Sequence, residues 1–287
     1  MTGQWAEWIG PVERATDQLT ASLARRWLAT FDRPADTPDA LPHGIHFCLC
    51  PPDAPTGRLG EDGHPLRSGG EERTFLPPVP LPRRMWAGSA ITFHAPLSVG
   101  AQVERISRIL SITEKTGSSG TLAFVEVEHT MSADSAMAVR EVQTLVYRAL
   151  PAPGAPLSPP PAAPDNRFDP AGWHYHRTAM PDPRLLFRYS ALTFNTHRIH
   201  YDHPYAVEVE RYRGLVVHGP LIATLLLQLA AERLGDNRLA SFAFKGLSPA
   251  IAGEPLHLAM REEANGITLA AFADDGRQVT QASAQGR

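Results

Sequence analysis

A chain of 287 residues with 43% hydrophobic content is long enough for one large domain or two of ordinary size, and it supports a buried core. Its net charge of −3 supplies no basic field, which argues against nucleic acid as a main partner, and no uninterrupted apolar run reaches the roughly 18 residues of a membrane span. The opening MTGQWAEWIGPVERATDQ is polar and acidic where a secretory leader needs a basic start and an apolar centre, so a cytoplasmic enzyme of small molecules is expected.

Cys48 and Cys50 are too close in sequence for an easy mutual disulfide and too few for a thiolate zinc site, so both are expected to be reduced, partly buried thiols. Of the 27 basic residues only Lys115 and Lys245 are lysines. That bias runs through the whole chain, so only local arginine clusters can carry site information.

From the N-terminus, Leu19, Leu23, Trp27 and Leu28 fall at helical spacing and predict one helix over 12–31, stopped by the Pro- and Asp-rich 32–38. Residues 41–82 are dense in Pro and Gly, including GEDGHP and FLPPVPLP, and a long irregular stretch usually has a job, such as covering a site. Strands are predicted over 87–94, 101–113, 120–131 and 136–148, forming an antiparallel meander. PAPGAPLSPPPAAP over 151–164 reads as an extended, semi-rigid spacer.

The second half repeats the plan. Loops and short helical pieces reach Tyr212, then GPLIATLLLQLAAERLG is apolar all round and must be buried on nearly every side, and strands follow over 240–247, 254–263, 267–274 and 278–284. LPHGIHFCL is a weak echo of VVHGPLIATLL, and the matching order suggests duplication. The pattern alone supports an α+β class with two similar halves.

Chemistry concentrates in FRYSALTFNTHRIHYD and VVHGPL. His200 is the candidate general base, since a neutral imidazole can take a proton from water near pH 7 and return it. Asn195 can orient water but cannot accept its proton, and it equally suits a helix cap or an Asx-turn. The backbone N–H of Gly219 opens the apolar helix and could face a carbonyl oxygen, with His218 beside it as a substrate contact; the same text also serves as simple helix-start punctuation. His197, His200 and His203 raise a metal site, but three-residue spacing fans around a helix, and no metal is expected. Arg83, Arg84, Arg198, Arg211 and Arg213 are candidate anion contacts.

The combination of FLPPVPLPRRMWAG, FRYSALTFNTHRIHYDHPYA and GLVVHGPLIATLLL resembles the acyl-thioester hydratases related to MaoC-like and type 2 hydroxyacyl-thioester dehydratases, over nearly the whole chain. The resemblance implies a double hot-dog fold, two curved antiparallel sheets each around a central helix. Residues 1–150 would be a scaffold and pocket wall, 151–164 the linker, and 165–287 the catalytic half. In the wider family an aspartate and, five residues on, a histidine activate water together; these positions fall on Asn195 and His200, so the first departs from the pattern. The oxyanion hole falls on Gly219.

The implied reaction is reversible hydration of an enoyl-CoA thioester carrying a short branched or dicarboxylic acyl group, without a cofactor or metal. A dehydratase of acyl-carrier-protein substrates and a non-catalytic thioester-binding protein remain as alternatives. The expected partner is an acyl-CoA, with neither nucleic acid nor membrane, and the chain either stands alone or pairs as a homodimer.

Overall fold

The computed structural model describes residues 4–34, 36, 39–67, 74–117, 120–161 and 166–287. The predicted first helix is two elements. Val12–Gln18 is strand β1, and Thr20 then accepts the Leu23 N–H on its hydroxyl at 3.1 Å and starts α1, Ala21–Thr30. The apolar spacing begins only at Leu19, one residue before the cap. VERATDQ has no buried side chain and is held by pairing instead, from Val12 opposite Arg108 to Gln18 opposite Gln102.

The remaining first-half strands are β2 (Ala40–Leu41), β3 (Arg83–Phe93), β4 (Leu97–Ser98), β5 (Gln102–Gly117), β6 (Gly120–Ala133) and β7 (Ala136–Arg148). The second half contains β8 (Tyr175–Ala179), α2 (Pro183–Thr193), α3 (Gly219–Leu234), β9 (Leu239–Gly246), β10 (Leu256–Glu263), β11 (Gly266–Ala273) and β12 (Gln278–Gly286). Strand β3 starts earlier than expected, so Arg83 and Arg84 belong to a ladder and not to a loop patch.

Among the described residues ten strands form one antiparallel sheet, ordered β1-β5-β6-β7-β3-β9-β12-β11-β10-β8, while β2 and β4 pair separately. Outward from the β3–β9 seam, each half runs through its second, fifth, fourth, third and first strand of this sheet. That identical order is the structural form of the duplication. At the seam Gly88 faces Lys245, and a Cβ on Gly88 would lie 2.3 Å from the Phe244 carbonyl oxygen, so only glycine lets the two halves approach this closely.

The helices do not repeat equally. α3 spans 16 residues and packs on β10, β11 and β3. Its Leu221, Ala223 and Leu226 are fully buried, and Thr224 satisfies its hydroxyl by donating to the Pro220 carbonyl at 2.8 Å. The first-half echo is a single 3₁₀ turn, Ile45–Cys48, preceded by Gly44 at φ 106°. A Cβ there would sit 3.0 Å from Cγ2 of Thr224, so the echo packs against α3 without forming a comparable helix. Cys48 and Cys50 are free and buried, and burial pushes the Cys48 thiol up to about 12.

Residues 162–164 of the predicted spacer lie outside the described residues. The described part is fastened: the Ser158 N–H donates to the Arg211 carbonyl at 2.8 Å, and Arg213 N–H returns a bond to the Ser158 carbonyl at 3.1 Å. Proline removes ladder donors, but the neighbouring loop supplies partners for both the N–H and the C=O of Ser158, and the Ala155 N–H donates to the Ala152 carbonyl at 2.9 Å.

Truncating a fully enclosed leucine removes apolar contacts and leaves a cavity that its neighbours fill only in part. Leu226→Ala is expected to destabilise the protein by about 2–5 kcal/mol. Urea unfolding checks this, and a loss below about 1 kcal/mol would show that α3 is loosely enclosed.

Candidate active site

The 194–200 loop is shaped by its own polar residues. Asp182 caps α2 by accepting the Leu185 N–H at 2.9 Å, and the helix ends at Phe194 in the left-handed region, φ 49°. Asn195 then accepts the His197 N–H on Oδ1 at 2.9 Å, an Asx-turn leading into the 3₁₀ turn Arg198–His200. The side-chain carbonyl of Asn195 is therefore engaged, and its amide N–H groups are what it can offer a ligand.

His200 is buried, and its Nδ1–H donates to the Val216 carbonyl at 2.7 Å. This fixes the neutral tautomer with a lone pair on Nε2. Val216 N–H donates to the Ile199 carbonyl at 2.9 Å, strapping the 194–200 loop to the segment that leads into α3. The His218 ring stacks on His200 with centroids 3.6 Å apart and planes at 20°, and its Nε2 lies 2.9 Å from the Ser190 hydroxyl. Burial holds His200 down to about 4, only partly offset by the Val216 bond, and His64 lowers it further. His218 lies well below its ordinary value, through burial and then the charge of His200.

His218 is the residue before α3, with Gly219 and Pro220 opening the helix. The Gly219 N–H lies in the first turn, where no carbonyl one turn earlier can accept it, so the positive helix end is available to an oxygen ligand. His200, His218, Gly219, Asn195 and His197 all line one cavity of about 1760 Å³, whose walls come from both halves of the chain.

The nominated arginines separate. Arg198 pairs with Asp202 at 2.8 Å and donates to the Glu61 carbonyl at 3.0 Å, and Arg213 forms a two-point ion pair with Glu254. Neither lines the cavity. Arg83 reaches its wall but is buried against Glu210 at 2.5 Å and the Tyr212 hydroxyl at 2.7 Å, so its charge is already compensated. Arg211 lines the cavity and donates Nε–H to the Ala155 carbonyl at 2.8 Å. Arg84 lines it with no ion pair among the described residues. His203 is exposed, away from the lining.

Two first-half contributions escaped the sequence reading. Glu141 is buried in the cavity wall, where burial pushes its carboxyl up to about 7 against the opposing Ser89 hydroxyl, which donates at 2.5 Å. Its signal was an acid on the inward-facing phase of β7, between Val139 and Leu145. Asp62, His64 and His197 bring potential ligand atoms within 4.8 Å of one another, yet the Asp62 carboxylate already holds His64 Nδ1 at 2.9 Å. GEDGHP supplied the signal, as a loop expected to cover a site.

The model of the family described as hydroxyacyl-thioester dehydratase type 2 matches residues 44–252. The chain belongs to this family. Mesaconyl-C(4)-CoA hydratase of Chloroflexus aurantiacus is 41% identical over 287 residues, covering 99% of this chain and 98% of that protein. The mitochondrial hydroxyacyl-thioester dehydratase type 2 of Schizosaccharomyces pombe is 26% identical over 254 residues, 79% of each chain. A solved MaoC-like dehydratase superposes with a TM-score of 0.72 at 12% identity, covering 99% of both chains. A Mycobacterium tuberculosis protein described as having a double hot-dog fold gives 0.56 at 15% identity, covering 96% of this chain and 95% of that one. The fold is the double hot dog, and this type 2 dehydratase is a hydro-lyase of acyl-thioesters.

His43, His46, His64, His129, His197, His200 and His218 are all held below the ordinary histidine value, with burial the largest cause in each. Unfolded, each binds a proton near pH 6.5, whereas folded it does so only near pH 4 or below. The unfolded chain thus binds more protons across this window, and stability falls as pH falls. Glu13, Glu141 and Glu210, raised by burial, oppose this as three carboxyls against seven imidazoles. The thermal midpoint is expected to drop steeply between pH 6.5 and pH 4, and a midpoint flat from pH 7 to 5 would show the imidazoles to be solvated.

Proposed function

We propose that the site hydrates an enoyl-CoA whose acyl group carries a second, free carboxylate, reversibly forming the 3-hydroxyacyl-CoA. The observation carrying the mechanism is the fixed tautomer of His200: with Nδ1–H committed to Val216, Nε2 presents its lone pair where the cavity meets the start of α3. Nε2 removes one proton from water as the water oxygen bonds to the β-carbon. The π-electron pair moves toward the thioester oxygen, where the Gly219 N–H and the helix terminus stabilise the enolate, an effect of about 3–4 kcal/mol in comparable oxyanion holes. The imidazolium then returns the proton to the α-carbon. Asn195 donates from its amide to the reacting oxygen.

The dicarboxylic reading rests on Arg105 together with the relative that acts on mesaconyl-C(4)-CoA. Arg105 lines the cavity beside Glu141, His129 and Gln143, and its Nε is buried without a hydrogen-bond partner among the described residues. The carboxyls of Glu13 and Glu141 already act on this guanidinium, but its buried Nε–H still lacks an acceptor, and a free substrate carboxylate is the matching group. Arg211 is proposed to meet the phosphates of the CoA arm, because it lines the cavity and forms no ion pair among the described residues, whereas Arg84 acts on His64 and His197.

His200→Ala is expected to lower kcat by about 10²-fold or more with folding intact, measured as loss of enoyl-thioester absorbance; normal turnover would eliminate the assigned base. Arg105→Ala is expected to lower kcat/KM for mesaconyl-C4-CoA by about 10²-fold while leaving crotonyl-CoA within about threefold, and equal losses on both substrates would refute a carboxylate subsite.

A further inference from the structure

We propose that Asp62 and His64, carried by the first-half loop over 60–65, form the second water-holding unit of the hydration site. His64 contacts the reacting water, and Asp62 positions His64. This rests on the hydratase reading above and adds residues to that site.

Water attacking a β-carbon must be held by both of its O–H groups if its lone pair is to point at carbon. His200 takes one. The second-half loop offers no carboxylate for the other: position 195 is an amide whose carbonyl is occupied, and Asp202 is paired with Arg198 and also accepts the Tyr205 N–H at 3.1 Å. The first half reaches across instead. Its 60–65 loop closes on itself through Gly60 N–H to the His64 carbonyl at 2.7 Å, then docks on the catalytic loop. Arg198 N–H donates to the Asp62 carbonyl at 2.9 Å, and the Thr196 hydroxyl donates to the Gly63 carbonyl at 2.5 Å. Gly63 sits at φ 86°, and a Cβ there would lie 1.9 Å from the Thr196 carbonyl oxygen. Glycine is required for this close approach as well as for the turn.

The docked loop delivers an oriented imidazole. Asp62 Oδ2 accepts from His64 Nδ1 at 2.9 Å, while Oδ1 accepts the His64 backbone N–H at 3.0 Å. His64 Nε2 is left with its lone pair and no hydrogen bond among the described residues. The ring lines the same cavity as His200, with its centroid 4.1 Å from that of His197, which is 5.3 Å from His200. The groups facing His64 are Asp62 and Arg67 on its own stretch, Arg84 from β3, and His197 and His200 from the 194–200 loop. Burial, then Arg84, holds His64 down to about 4 against the opposing pull of Asp62, so the lone pair is free at neutral pH.

In the step itself, one water O–H breaks toward His200 as the oxygen–carbon bond forms. The other stays intact, hydrogen-bonded to His64 Nε2, and becomes the hydroxyl of the product. His64 gains no net proton, and the proton on His200 passes to the α-carbon.

Asp62→Asn is the discriminating variant, because an amide keeps the oxygen that accepts the His64 backbone N–H but loses the carboxylate facing the ring. With mesaconyl-C4-CoA and crotonyl-CoA as substrates, kcat is expected to fall about 10-fold or more with KM and thermal midpoint unchanged, and Asp62→Glu to restore part of it. His64→Ala is expected to lose kcat similarly and to recover some with added imidazole. Wild-type kcat in Asp62→Asn while His200→Ala is inactive would overturn this inference alone, whereas an active His200→Ala would overturn the hydratase site beneath it. Stoichiometric zinc or iron in the purified enzyme, lost in His64→Ala, would also overturn it by making Asp62, His64 and His197 a metal site.

Discussion

The structure depends on enclosing α3. A helix apolar on every side has no stable place except in a packed interior, and here β10, β11 and β3 with the first-half turn at Gly44 pack against it. Enclosure has a chemical consequence. The N-terminal end of the helix, with its unpaired N–H groups and positive dipole end, is carried into the interior along with His218 and Gly219. The site lies where the helix begins because that is where a buried helix still has hydrogen-bonding capacity to give.

The same burial sets the electrostatics. Imidazoles around the cavity are kept neutral by desolvation; the stacked His200 makes charging His218 less favourable still, and His64 does the same for His200. Tautomers are then chosen by specific oxygen acceptors: the Val216 carbonyl for His200 and the Asp62 carboxylate for His64. Neutral bases with directed lone pairs suit addition of water to an electron-poor alkene, whereas imidazolium groups could not begin it.

Much of the fold was legible because buried faces leave periodic traces. β7 was expected over 136–148 and runs from Ala136 to Arg148, and the continuous apolar run marked α3. Besides the two-residue pair β2 and β4, the missed strands β1 and β8 are the two ends of the large sheet, where pairing on one side and exposed faces leave little hydrophobic alternation to read. His218 and Gly219 were nominated from the helix start and His200 from its polar loop and the family resemblance, and the fold brings all three to one cavity. The arginines were not legible, since Arg83 finds Glu210 and Arg213 finds Glu254 only through tertiary contacts. Asp62 and His64 were hidden for the same reason: their proximity to the 194–200 loop depends on a glycine whose partner is 133 residues away.

The central claim is that His200 is a neutral base with its proton on Nδ1. Nitrogen-15 NMR of the histidine rings, with His200 assigned by comparison with His200→Gln, reads this state directly. The account predicts a neutral Nδ1–H tautomer for His200 at pH 6, where an exposed histidine is largely charged. An imidazolium at that pH, or a proton on Nε2, would contradict it.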